Sequence, residues 1–234
     1  VEHPEGLVGH SDGDVIALAA SDGAERWRVR VGGEVLAAPA VSAKAVIVRT
    51  VDGRLRGLSL DDGKELWVDE QAVPRLSLRG NAAPIVSGDV AICGFDNGKV
   101  AAFGTADGEV LWEAAVAPPR GRTELERLND IDSAVHISGD DVFVVGFQGR
   151  AARLAIDSGQ LWWSRELSSH RGLAVDDESV YVSSADGEVV ALQRRTGVEL
   201  WRQKALRLRG LGAPAVLGNV VAVADFEGYV HFFD

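Results

Sequence analysis

Short β-branched runs recur through the sequence, and each is cut off by glycine or aspartate before three helical turns could form. Ala45-Val46-Ile47-Val48 is one such run and Val220-Val221-Ala222-Val223-Ala224 another. Asp52-Gly53, Asn97-Gly98, Asp107-Gly108 and Asp186-Gly187 lie beside these runs and supply the positive φ that two-residue hairpins need. The expected elements are therefore short antiparallel strands joined by tight turns.

The punctuation is periodic. Five times a glycine is followed ten residues later by another and four residues after that by tryptophan: Gly13/Gly23/Trp27, Gly53/Gly63/Trp67, Gly98/Gly108/Trp112, Gly149/Gly159/Trp163 and Gly187/Gly197/Trp201. A sixth unit opens at Gly228. Ala-Pro recurs ahead of the β-branched runs at Pro39, Pro84 and Pro214, with Ser133-Ala134 in its place in the fourth unit; proline at the start of a strand loses no ladder bond. Evenly spaced short strands with one large aromatic per unit predict an all-β propeller of four-stranded antiparallel blades. Five complete repeats and a partial one are expected, with residues 1–234 forming a single domain. Trp27, Trp67, Trp112, Trp163 and Trp201 are expected to lie flat between neighbouring blades, as structural docking residues.

Apolar residues make up 46% of the 234, enough for a large core, and the net charge is −11. That balance argues against a nucleic-acid surface and against docking on anionic lipid. No apolar run approaches the ~20 residues that span a bilayer as a helix. Cys93, the only cysteine, is expected to be a small core residue. His3, His10, His136, His170 and His231 are scattered without metal-ligand spacing, so no metal site is expected. No nucleophile elbow, zinc-protease or phosphate-loop motif occurs, and most carboxylates flank turn glycines, where aspartate caps its own backbone. No catalytic residue is assigned. Methionine is absent, so the chain reads as processed or truncated.

The unit G-x-V-x-A-L-x-x-x-x-G-x-x-x-W, as at Gly187 to Trp201, resembles the pyrroloquinoline-quinone-type propeller repeat. Pro74-Arg75-Leu76-Ser77-Leu78-Arg79-Gly80 and Thr123 through Asp132, together with Trp163 to Leu167 and Glu227 to His231, resemble the BamB family of outer-membrane protein assembly factors. The resemblance implies an eight-bladed ring, of which this chain would be the middle, its N-terminal portion and closing blade absent. It implies a periplasmic scaffold with no cofactor, held by a lipid anchor on the full-length precursor. Its partner would be BamA, through the POTRA domains, with unfolded outer-membrane proteins as further partners. It carries Leu76, Leu78, Arg79, Asp130 and Asp132 across as partner-binding residues.

Blade topology adds a reason of its own. In a four-stranded blade, the link from the outer strand to the next inner strand shares a face with the second-to-third hairpin, so residues ahead of Pro84 and Ala134 should meet at one mouth of the ring. The bland alternative is that Leu76 and Leu78 are simply buried and that Arg79 pairs with Asp130 or Asp132 within the monomer. Pro118 to Arg122 lengthens the third-to-fourth unit interval, and Thr123-x-x-Glu126 has the spacing of a capping box, which predicts one helical turn. The competing function is a quinone-dependent dehydrogenase, which would need a quinone and calcium at the ring centre. Those enzymes stack a vicinal disulfide on the cofactor, and one cysteine cannot make it.

Overall fold

A computed structural model describes residues 5–71, 82–116, 131 and 135–233. Among them every regular element is a strand. Four sheets have four strands each, paired in sequence order and antiparallel throughout. They are β4 (Ala40–Val41), β5 (Ala45–Arg49), β6 (Arg54–Ser59) and β7 (Glu65–Glu70); β8 (Ile85–Ser87), β9 (Val90–Gly94), β10 (Lys99–Gly104) and β11 (Val110–Ala115); β12 (His136–Ser138), β13 (Asp141–Val145), β14 (Arg150–Ala155) and β15 (Leu161–Glu166); and β16 (Leu173–Val175), β17 (Ser179–Ser183), β18 (Val189–Gln193) and β19 (Glu199–Gln203). Ahead of these lies a sheet of β1 (Glu5–Gly9), β2 (Asp14–Ala19) and β3 (Glu25–Arg30). After them comes one of β20 (Pro214–Leu217), β21 (Val220–Ala224) and β22 (Val230–Phe233). The first repeat, expected to be complete, thus shows three strands among the described residues. The glycine–glycine–tryptophan register spans only the last two strands of a blade and cannot count the inner ones. The helical turn expected after Thr123 lies outside the described residues.

The inner strands β4, β8, β12, β16 and β20 touch one another in succession, so the sheets are arranged side by side about a common axis. In the four four-stranded sheets the second and third strands are largely buried because both of their faces meet neighbouring sheets; all five residues of β5 and of β13 are buried. Apolar clusters fill the space between sheets, such as Ala45, Ile47 and Leu55 with Ala91, Cys93, Phe95 and Phe103.

Four tryptophans link one sheet to the next. The indole N–H of Trp27 donates to Leu60 O (2.7 Å), of Trp67 to Thr105 O (3.0 Å), of Trp112 to Ile156 O (2.9 Å) and of Trp163 to Arg194 O (2.8 Å). Each ring lies against the turn glycine of the following sheet. A Cβ on Gly63, Gly108, Gly159 or Gly197 would come within about 2.6 Å of it, and all four glycines have positive φ. The repeated Gly and Trp are therefore two halves of one contact. Trp201 differs: its ring lies between Tyr181 and Phe233, 6.0 Å from each.

A bulge recurs where the third strand meets the fourth, at Ala17/Leu18, Gly57/Leu58, Ala102/Phe103, Arg153/Leu154 and Ala191/Leu192. The residue skipped by the register immediately precedes the tryptophan. Leu66, Leu111, Trp162 and Leu200 are turned outward there, each about half exposed.

Candidate functional site

In three of the sheets the hairpin that follows the second strand of the blade and the link arriving from the preceding sheet are joined by main-chain bonds. Val51 N–H donates to Glu34 O, Ala185 N–H to Ser168 O and Phe226 N–H to Arg209 O. One rim of the molecule therefore carries both sets of loops.

Leu76, Leu78, Arg79, Asp130 and Asp132 all lie outside the described residues. Their flanks do not. Ala82 is fully buried, and its carbonyl accepts from Arg49 Nη1 (3.4 Å) and from the Cys93 thiol (3.8 Å). Arg49 is itself buried, ion-paired with buried Asp96 and stacked over Phe95 at 5.5 Å. Ile131 is also fully buried; its N–H donates to Phe95 O (3.4 Å), and its side chain sits where a Cβ on Gly94 would be, 2.5 Å away. Ala82 and Ile131, which bound or interrupt the two candidate segments, are thus both fastened beside the end of β9, at Cys93 and at Gly94-Phe95 respectively. Burial pushes the Cys93 thiol up to about 11, so it is held as a neutral packing group.

Further round the rim, between the β15–β16 and β19–β20 links, a cleft of about 620 Å³ is lined by His170, Arg171, Asp186, Arg207 and Leu208. Beneath it the buried Glu188 carboxylate meets Arg202 and, at 2.6 Å, Arg207, and its pKa is lowered chiefly by the hydrogen bond from Arg202. Arg209 Nε lies 2.6 Å from Asp225, whose buried carboxylate also meets the His231 ring at 2.9 Å. His231 first and Arg209 next hold Asp225 well below the usual carboxylate range. Leu208 is completely exposed at φ 65°, a left-handed conformation that costs a leucine roughly 1 kcal/mol or more. This loop is not among the site residues expected from the sequence, although a signal for it exists there. Leu206-Arg207-Leu208-Arg209-Gly210-Leu211-Gly212-Ala213-Pro214 repeats the L-x-L-R-G-x-x-A-P pattern of Leu76 to Pro84.

Among the described residues no group of three or more His, Cys, Asp or Glu side chains is placed to hold a metal ion. Among the described residues no helix is long and apolar enough to cross a membrane.

The family model described as outer membrane protein assembly factor BamB matches residues 5–203 and, again, residues 173–234. The chain belongs to the BamB family. A BamB from Shewanella oneidensis is 34% identical over 228 residues, which cover 97% of this chain and 58% of that protein. The crystal structure of BamB from Moraxella catarrhalis superposes with a TM-score of 0.94 at 33% identity, covering 98% of this chain and 70% of that one. The chain thus spans little more than half the length of the BamB sequences it matches. A quinohemoprotein alcohol dehydrogenase from Comamonas testosteroni superposes with a TM-score of 0.72 at 16% identity, a likeness of fold alone.

Proposed function

We propose that this chain is the partner-docking part of a non-enzymatic scaffold in outer-membrane protein assembly. It works at the periplasmic face of the outer membrane, within a full-length protein held there by a lipid anchor. The partner is BamA, engaged through its POTRA domains by Leu76, Leu78 and Arg79 on one loop and Asp130 and Asp132 on the next. The apolar pair supplies burial, and the opposite charges set register and orientation. Holding BamA on the rim keeps it and arriving unfolded outer-membrane proteins in a productive arrangement, with no cofactor and no turnover. Residues 1–234 act as one domain, a contiguous part of a longer propeller.

One observation carries the reading: Ala82 and Ile131, at the flanks of both segments, are both fastened to the end of β9, Ala82 through Cys93 and Ile131 through Phe95. Family membership supports the choice of partner. The test is capture of the periplasmic region of BamA by the full-length protein carrying Arg79→Glu or Asp130→Lys. Each charge reversal is expected to weaken binding by about 2–5 kcal/mol, as for a charge desolvated in a complex. Full-strength capture by correctly folded variants would remove the site.

A further inference from the structure

We propose that Arg49 is a positioning residue for partner docking: its buried guanidinium fixes the foot of the β7–β8 link, the loop that carries Leu76, Leu78 and Arg79. The proposal rests on the BamA reading of that loop and deepens it.

It starts from a departure from the repeat. The second strands of the six sheets end at Gly9, Arg49, Gly94, Val145, Ser183 and Ala224. Five of these residues are small or apolar, so the fold itself does not ask for an arginine there. Asp96, two positions past the end of β9, stands where the other hairpins have Ser11, Val51, Phe147, Ala185 and Phe226. Both halves of the Arg49–Asp96 ion pair are therefore exceptions, and they meet across one junction between sheets. The β7–β8 link ends at that junction, and its stretch from Trp67 to Pro84 is longer than Trp27 to Pro39 or Trp201 to Pro214.

The guanidinium reaches two acceptors at once. Nη2 donates to Asp96 Oδ1, and Nη1 donates to the Ala82 carbonyl at 3.4 Å. The Cys93 thiol comes to the same carbonyl at 3.8 Å, and the Phe95 ring stacks on the guanidinium at 5.5 Å. Arg49, Asp96 and Ala82 are all buried. An ion pair in such a place adds little to stability beyond what apolar side chains of similar size would give. Its distinctive contribution is direction. The planar fork, with one prong held by Asp96, offers the other at one place, and Ala82 fills it. A loop whose foot is fixed in this way loses less conformational freedom when a partner covers it.

The test replaces both charges together, Arg49→Met with Asp96→Leu, in the full-length protein, since removing one alone would strand the other in the core. The melting temperature should hold or rise. Affinity for the periplasmic region of BamA should nevertheless fall about tenfold or more, because the loop is no longer pre-arranged. Dithionitrobenzoate should label Cys93 in native buffer faster than in the wild type, as the segment at Ala82 opens locally. Arg49→Lys, which keeps a charge for Asp96 but lacks the fork, should show the same two losses, and it decides the matter if the paired variant does not fold. Wild-type affinity and slow labelling in a folded variant refute the positioning role; a defect in Arg79→Glu then leaves the docking loop standing. Absence of binding by the wild type refutes both.

Discussion

Cys93 shows how one buried atom reports on its surroundings. Its thiol is fully enclosed beside the carbonyls of Ala82 and Gly94, and burial lifts its pKa from 9.0 to about 11. Folding therefore favours the protonated thiol: this stabilisation is complete below pH 9 and is lost as the pH rises towards 11. At pH 8, a disulfide reagent such as dithionitrobenzoate should label Cys93 only as the protein unfolds, with the same denaturant midpoint as tryptophan fluorescence. Rapid labelling in native buffer would contradict the enclosure. A small cysteine among Ala91 and Ile92 is legible in the sequence as a core residue. The role of Arg49 is not. An arginine at the end of a β-branched run reads as solvated, and only the arrival of Asp96, Phe95 and the Ala82 carbonyl from the next sheet makes its burial tolerable. Leu208 is illegible for another reason: its prominence comes from a backbone angle, which residue types do not encode.

Strands and turns are where sequence and structure agree most closely, because each asks only for local chemistry. Every turn glycine in the Gly–Gly–Trp register takes positive φ apart from Gly149. That exception has its left-handed residue one place earlier, at Gln148, with φ 47°. The bulge before each tryptophan leaves no mark in the spacing, since an extra residue in β7 or β11 changes pairing without changing length. It does explain why an apolar residue such as Leu66 or Leu111 stands half exposed beside a buried tryptophan, and it twists an outer edge that would otherwise invite pairing with other chains. Gly108→Ala is expected to destabilise the protein by about 2–4 kcal/mol, combining left-handed strain with the overlap of a Cβ on the Trp67 ring. Chemical denaturation would measure it. A loss below about 0.5 kcal/mol, the range of an ordinary surface change, would mean that the ring moves aside freely.

The propeller class follows from five matched repeats, but neither the site nor the number of strands does. Sequence spacing gives the order of the sheets. Which loops share a rim depends on the direction of every strand, and the meeting of Ala82 and Ile131 at the end of β9 depends on contacts between residues far apart in the chain. Because each sheet touches mainly its neighbours, stability should spread as a sum of nearest-neighbour interfaces. Trp112→Ala is expected to cost about 3–5 kcal/mol. Its loss of hydrogen-exchange protection should concentrate in β9 to β14, on both sides of the lost contact, with β2 and β21 little changed. Uniform loss across all sheets would show instead that the domain opens only as a unit. The direction of the tryptophan links has a last consequence. Every one of the four indoles finds its carbonyl later in the chain, 31 to 44 residues downstream. A nascent polypeptide leaving the ribosome at about 5–20 residues per second therefore carries, at its growing end, an indole that waits roughly 2–9 s for its acceptor. Completion of the molecule is vectorial, each arriving sheet sealing the one synthesised before it.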